Sequence, residues 1–302
     1  MLNNLFRPKS PGSPPPPARG AKVDLDKRFL LGERNSDGSM SKVYRAVELA
    51  TNRTVGLKIQ IPEKSDAAAA RAADGKPSEG EIASQIDHPH VVKTFDWGLT
   101  PSGEQFIVME YVDGVSLEYV RQSIKLGLRG KMKILIQAAQ GFAGIHKAGF
   151  IHHDINPRNV LINRSNVVKV IDFGLAVPDT APFHKPGNRT GCLSYMAPEL
   201  IRREATDARL DVFAFAAMAF EFLTDKLPFG GGSDSMAAIT QRINAPPLDP
   251  AEANPRLSPE TCALLLRSLA KRKEDRPTMA ALAEGLADAP YRRGLTTDDS
   301  AD

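Results

Sequence analysis

The chain has 302 residues, of which 42% are hydrophobic and 25% are charged, values close to those of ordinary globular proteins. This composition excludes a wholly disordered, collagenous or coiled-coil chain. The formal net charge of +3 is too small to indicate a nucleic-acid-binding protein. Two cysteines far apart, Cys192 and Cys262, predict neither a disulfide framework nor a cysteine-based zinc site.

The two ends of the chain differ in composition from the rest. Residues 1–22 combine six prolines with glycine, serine and scattered basic residues, which predicts a disordered, proline-rich tail. This tail is either a plain spacer or, through residues 8–17, a ligand for a proline-recognition domain. Residues 289–302 form a polar C-terminal tail that we expect to be frayed.

The longest apolar run, Val212–Leu223, is interrupted by Glu221 and is shorter than a membrane span of about 18 residues. Such a run is more typical of a buried core helix. The first residues lack the continuous apolar stretch of a secretory signal. We therefore expect a cytoplasmic protein without membrane or nucleic-acid partners, and the sequence carries no indication of its oligomeric state.

Between about Phe29 and Tyr111, short segments rich in β-branched and aromatic residues alternate with turn signals. Five strands are predicted here, and one helix, roughly Ser78–Asp87, interrupts them. The predicted strands are RFLLGER, KVYRAVEL, TVGLKIQI, VVKTFDWGL and EQFIVMEY.

From Leu117 onward the apolar residues recur every three or four positions, which is the helical period. The clearest case is the stretch KMKILIQAAQGFAGIHKAG. A strand-rich part followed by a mainly helical part indicates an α+β fold, with a cleft near Tyr111–Gly114. Further helices are predicted over Asp211–Leu223, Ser235–Asn244, Ser258–Ala270 and Thr278–Leu286.

Three oxygen-bearing side chains stand at the ends of two short hydrophobic runs. Asp154 and Asn159 belong to the pattern HxDxxxxN, and Asp172 opens a DFG triplet thirteen residues after Asn159. Amide and carboxylate oxygens at Asn159 and Asp172 suit a shared divalent ion, and Asp154 is then left to accept a proton.

This constellation resembles the catalytic region of eukaryotic-type (Hanks-type) protein kinases, and further motifs follow in that family's order. They are the lysine strand Val55-Gly56-Leu57-Lys58, Ala197-Pro198-Glu199, Asp211-Val212-Phe213, and Arg276-Pro277-Thr278. The resemblance covers about residues 28–288 and implies that Arg276 pairs with Glu199. It implies a bilobal fold in a domain over 23–288: an N-lobe, 23–112, with a five-stranded antiparallel sheet and one helix, and a mainly helical C-lobe, 113–288.

The resemblance also assigns roles. Lys58 holds the ATP phosphates, Asp154 orients the substrate hydroxyl, and Asn159 and Asp172 bind Mg²⁺, or alternatively Mn²⁺. Lys58 needs an acidic helix partner, for which Glu79 is favoured over Glu81 because of its spacing to the HPH turn and its apolar helix face. Adenine is expected to lie between the hinge residues Glu110 and Val112 and small or apolar side chains. The expected cofactor-binding set is Gly38, Ser39, Val43, Lys58, Glu79, Met109 as gatekeeper, Glu110, Val112 and Leu161.

The phosphate-covering loop departs from the family pattern. Counting back from Val43 gives Ser36-Asp37-Gly38-Ser39-Met40-Ser41, so only the middle glycine of GxGxxG remains. We expect a less flexible loop, because glycines let backbone N–H groups approach phosphate without side-chain clash.

Three more departures lie near the catalytic aspartate. His153 replaces an arginine that in the family collects the activation-loop phosphate, so we expect little dependence on phosphorylation of that loop. Asn156 replaces a phosphate-supporting lysine, a role that Arg158 could take over if it is not simply a surface residue. Cys192 stands where a threonine hydroxyl usually bonds the aspartate, and a thiol donates more weakly.

The motifs thus imply an ATP-dependent serine/threonine protein kinase that acts on protein substrates. The alternative is a pseudokinase, or a very weakly active nucleotide-binding scaffold, which the degenerate glycine loop, Asn156 and Cys192 favour.

Overall fold

The computed structural model of the chain describes residues 22–37, 41–60, 75–185, 191–229 and 236–289. These residues divide into two compact units. The first contains 22–60 and 94–111, and the second contains 75–93 and 112–289. The predicted proline-rich tail up to residue 21 and the polar tail from residue 290 lie outside the described residues.

The first unit is an antiparallel sheet of five strands, in which the third strand along the chain is central, the second and fifth flank it, and the first and fourth form the edges. Its core is formed by inward-facing apolar side chains such as Phe29, Leu57 and Phe106. The central strand is buried over four successive residues, as expected for a strand covered on both faces. The elements are α1 (Leu25–Arg28), β1 (Phe29–Asp37), β2 (Ser41–Glu48), β3 (Arg53–Gln60), β4 (Thr94–Leu99) and β5 (Gln105–Glu110).

The second unit is mainly helical. Its helices are α2 (Glu79–Ala83), α3 (Leu117–Ser123), α4 (Leu128–Lys147), α5 (Pro198–Arg202), α6 (Arg209–Thr224), α7 (Met236–Asn244), α8 (Pro250–Ala253), α9 (Pro259–Ser268) and α10 (Met279–Asp288). Its short strands are β6 (Gly114–Ser116), β7 (Phe150–Ile151), β8 (Val160–Asn163), β9 (Val168–Val170) and β10 (Val177–Pro178). The α+β class, the five-stranded antiparallel sheet and the helical second part are confirmed.

Helix α6 explains the apolar run noted in the sequence. Its residues from Leu210 to Phe220 are all buried, so the helix has no polar face and occupies the centre of the second unit. In α4, by contrast, one face is buried, and Leu135, Ala139 and Phe142 point inward.

The helix predicted over Ser78–Asp87 is half as long as expected. It spans Glu79–Ala83 and continues in tighter turns, with Gln85 N–H bonded to the Ile82 carbonyl. Pro89 disfavours the helical backbone conformation at the residue that precedes it, so the helix has to end before that residue. Residues 75–93 belong to the second unit because the Val92 N–H bonds the Val170 carbonyl of β9.

Candidate active site

The loop between β7 and β8 carries the HxDxxxxN residues and is shaped by its own sequence. Pro157–Asn159 form one 3₁₀ turn, with proline at its first position. Asn156 caps this turn: its Oδ1 accepts from the Arg158 N–H at 3.0 Å, and its Nδ2 donates to the Asp154 carbonyl at 3.1 Å. Both Oδ1 and Nδ2 of Asn156 therefore form hydrogen bonds within the loop.

Asp154 and Asn159 are in direct contact. The Nδ2 group of Asn159 donates to the Asp154 carboxylate oxygen Oδ2 at 2.9 Å and to the Asp154 carbonyl at 2.8 Å. Both contacts use the amide nitrogen, so the amide oxygen of Asn159 is the atom suited to a cation.

Strand pairing brings Asp172 next to Asn159. Val160 of β8 pairs with Val170 of β9, and one residue beyond that pair the Ile171 N–H bonds the Asn159 carbonyl at 3.0 Å. Asp172 follows in the left-handed backbone region, with φ of 67°, and its Oδ1 accepts from the Gly174 N–H at 3.1 Å. The sharp turn displays the Asp172 side chain at the end of the sheet.

The two candidate glutamates on α2 have different environments. Glu81 closes a capping box with Ser78, in which the Ser78 Oγ accepts from the Glu81 N–H and the Glu81 carboxylate accepts from the Ser78 N–H. Glu79 is buried, and its Oε1 accepts from the Phe173 N–H at 3.2 Å. A carboxylate of α2 thus fixes the backbone next to Asp172.

Asp211, the first acidic residue of α6, orients the loop through hydrogen bonds to its backbone. It was not among the predicted site residues. It is fully buried and accepts from the backbone N–H groups of His152 at 2.7 Å and His153 at 3.0 Å. Its third partner is the His146 Nε2 at 2.8 Å. Burial alone would raise its pKa, but the hydrogen bond to His146 and the neighbouring imidazoles hold the pKa of Asp211 below its ordinary value. A lone carboxylate at the start of an otherwise apolar helix was the signal that could have found it.

His153 has an unusual position for a polar side chain. Its backbone has a φ of 65°, and its Nε2 is buried without a hydrogen-bond partner in the described part of the chain. Burial lowers the pKa of His153, and the Asp211 carboxylate opposes this only in part. The ring is therefore neutral at pH 7, unlike the arginine that the family places there.

The segment after residue 190 approaches Asp154 through a glycine. Gly191 has a φ of 96°, and a Cβ there would lie 2.7 Å from the His153 carbonyl oxygen, so only glycine fits. Cys192 follows; burial and the nearby Asp154 carboxylate raise the pKa of its thiol. Three residues further on, the hydroxyl of Tyr195 donates to Glu221 at 2.5 Å.

The predicted residues of the first unit lie on neighbouring strands. Lys58 of β3 is buried and pairs in register with Val43 of β2. Gly56 pairs with Met109 of β5, and a Cβ at Gly56 would lie 3.2 Å from the Met109 Cγ. The methionine thus fills the space that a side chain at residue 56 would take.

The remaining predicted residues fall in three groups. Glu110 ends β5 in the first unit, whereas Val112 and Leu161 are half-buried in the second. Arg158 is exposed on the 3₁₀ turn. Gly38 and Ser39 lie outside the described residues.

The donor set near the DFG triplet fits magnesium. One amide oxygen, from Asn159, and one carboxylate, from Asp172, are hard ligands of the kind that Mg²⁺ takes together with substrate phosphates and water.

A family model described as "Protein kinase domain" matches residues 31–287. The chain is 34% identical over 271 residues to the serine/threonine-protein kinase PknB of Mycolicibacterium smegmatis, covering 85% of this chain and 42% of that protein. PknB of Mycobacterium tuberculosis is 33% identical with the same coverage. The serine/threonine-protein kinase pkn3 of Myxococcus xanthus is 32% identical over 264 residues, covering 83% of this chain and 47% of that protein.

The chain therefore spans less than half the length of these curated relatives. In the described ranges, none of the helices has both the length and the apolar character needed to cross a membrane.

Proposed function

Because this chain belongs to the protein kinase family, we propose that it transfers the γ-phosphoryl group of ATP to serine or threonine hydroxyls of protein substrates. The relatives that match most of its length are named serine/threonine kinases, which supports this choice of acceptor. The observation that carries the proposal is the contact between Asp154 and Asn159, backed by Asp172, which follows the strand paired with β8.

The residues act as follows. Asp154 accepts a hydrogen bond from the incoming hydroxyl and orients its oxygen toward the phosphorus. Asn159 holds the Asp154 carboxylate in place and, together with Asp172, offers oxygen ligands to Mg²⁺ or Mn²⁺. Lys58 neutralises phosphate charge on ATP, and Glu79 is the favoured acidic partner because Glu81 is committed to the helix cap.

The nucleotide is held by less specific contacts. Backbone groups of Glu110 and Val112 pair with adenine, and apolar side chains of Val43, Met109 and Leu161 enclose it. Gly38 and Ser39 cover the phosphates. Arg158, exposed on the loop where Asn156 has replaced a lysine, supports the transferred phosphoryl group.

The test measures transfer from γ-labelled ATP to a generic basic protein. The Asp154→Asn variant is expected to lose at least about 100-fold in turnover, the usual contribution of a positioned base. Asp87→Asn removes a carboxylate of the same size that is highly exposed, and should leave turnover unchanged. Equal transfer by the wild type and Asp154→Asn would refute the proposal. Removal of Mg²⁺ with EDTA should stop transfer, and either Mg²⁺ or Mn²⁺ should restore it.

A second candidate function is a nucleotide-binding scaffold with little or no turnover. It is favoured by Asn156, whose neutral side chain caps the loop and offers no positive charge to a phosphate. In that case ATP with Mg²⁺ would raise the melting temperature of the wild type, while no label would reach any protein.

The proposal extends to compartment and partners. We place the reaction in the cytoplasm because it consumes ATP and because both cysteines are free thiols. The proline-rich residues 8–17 are proposed as a ligand for a proline-recognition domain. Loss of binding to such domains when these prolines become alanine tests this part.

A further inference from the structure

Helix α7 carries a buried arginine. Arg242 is 2% exposed, although arginine is among the residues least often buried. On the same helix, Ile239 and Ile243 pack against the apolar cluster of Met196, Leu200 and Ile201. Arg242 thus lies at the contact between α7 and the segment before α5.

The guanidinium of Arg242 contacts the backbone of this segment. Its Nη1 donates to the carbonyl oxygen of Leu193 and lies 3.5 Å from that of Met196. The Leu193 carbonyl also accepts from the Met196 N–H, at 3.4 Å, and so closes the turn Leu193–Tyr195. One charged group therefore contacts both ends of the turn.

The backbone of the helix around Arg242 accepts hydrogen bonds from two other basic side chains. The ammonium group of Lys271 donates to the Arg242 carbonyl and lies 4.1 Å from the ring centre of Phe229. Arg202 of α5 donates to the Ile243 carbonyl at 3.1 Å. Because Lys271 holds the backbone of Arg242 itself, Arg242 imposes a position on the turn.

The turn borders the proposed catalytic aspartate. It begins directly after Cys192, and a Cβ on the preceding Gly191 would lie 3.6 Å from Asp154 Oδ1. A protein substrate whose hydroxyl reaches Asp154 has to pass along this segment. We propose that Arg242 is a positioning residue for the protein substrate, acting through the backbone of residues 193–196; this inference rests on the proposed kinase function.

The experiment compares Arg242→Met with Arg242→Lys and with the control Arg202→Met. The control also removes an arginine bond to a carbonyl of α7, but from an exposed side chain and without touching the turn. For Arg242→Met we expect the KM for the protein substrate to rise about tenfold, the loss of one charge-assisted hydrogen bond. The KM for ATP and the slow hydrolysis of ATP without protein should stay unchanged. Arg242→Lys keeps a charge and a donor and should recover part of the effect.

A second measurement does not depend on turnover. Hydrogen exchange at the Met196 amide should become about tenfold faster in Arg242→Met and stay unchanged in Arg202→Met. The inference is overturned if Arg202→Met has the same effect, if the KM values for ATP and protein rise together, or if exchange at Met196 is unaltered. A wild type that transfers no phosphate would refute the proposed function alone, and the exchange data would still decide the role of Arg242. If Arg242→Met fails to fold, Arg242→Lys is judged by the same criteria, with a threefold change required.

Discussion

The ion pair between Glu199 and Arg276 offers the sharpest test of how the second unit is held together. Both carboxylate oxygens of Glu199 are engaged, by Nη1 of Arg276 at 2.7 Å and by Nη2 at 2.8 Å. The guanidinium also donates to the carbonyls of Ala270 at 2.9 Å and Arg209 at 3.0 Å, and both paired side chains are almost fully buried. Its cation lies 4.9 Å from the ring centre of Phe213 on α6.

Removing one partner leaves a buried charge without compensation. Arg276→Met should therefore cost about 3–5 kcal/mol of unfolding free energy. Glu199→Gln keeps a neutral acceptor for the guanidinium and should cost about 2 kcal/mol. In the double variant the stranded charge is gone, so its cost should fall short of the sum of the single costs by about 1–3 kcal/mol.

Urea unfolding at pH 7.5 measures these differences through the shift of the midpoint. Arg164→Met is the control, because it breaks an exposed pair with Asp113 at 3.0 Å and should cost no more than about 1 kcal/mol. A loss below 1 kcal/mol in Arg276→Met, or additive costs in the double variant, would refute the reasoning.

Three further predictions follow from the loop around Asp154. Burial lowers the pKa of His153, so below about pH 6.5 the unfolded chain binds a proton at this residue that the folded chain does not bind. The wild type should therefore lose more stability between pH 7 and pH 5 than the His153→Asn variant. Parallel curves of stability against pH for the two proteins would contradict this. Burial raises the pKa of Cys192, so iodoacetamide at pH 7.5 should modify it much more slowly in the folded protein than in urea, as peptide mass spectrometry would show; equal rates would be inconsistent with the structure. Asn156→Ala removes a cap and should cost about 1 kcal/mol in urea unfolding, whereas an unchanged midpoint would mean that the cap is dispensable.

Local sequence patterns predicted most of the fold. Alternation of β-branched and aromatic residues identified the five strands because each strand buries side chains against its neighbours in the sheet. The apolar run in α6 indicated a core helix because no polar face was left for water. Strands of two residues, such as Phe150–Ile151 and Val177–Pro178, were not predictable, since they exist only through their mutual pairing across the chain.

The site was predictable where a motif concentrates the functional groups and not where a distant residue supports them. The spacing of Asp154, Asn159 and Asp172 is visible along the chain. The bonds of Asp211 to the catalytic loop span 58 and 59 residues, so a lone carboxylate in an apolar helix marks Asp211 itself in the sequence but not its partners. The burial of Arg242 was equally hidden, because an arginine on a helix ordinarily indicates the solvent face.

The departures from the family pattern affect the catalytic loop less than the sequence alone suggests. Asp211 binds the backbone N–H groups of His152 and His153, so the course of the loop is held through backbone contacts and not through the imidazole of residue 153. Asn156 contributes a cap that stabilises the turn bearing Asn159. Because Asp154 is fixed by Asn159, the residues at 153 and 156 do not displace the proposed base. On this argument the proposed kinase should lose rate at the phosphoryl-supporting positions while retaining dependence on Asp154, which a scaffold without turnover would lack.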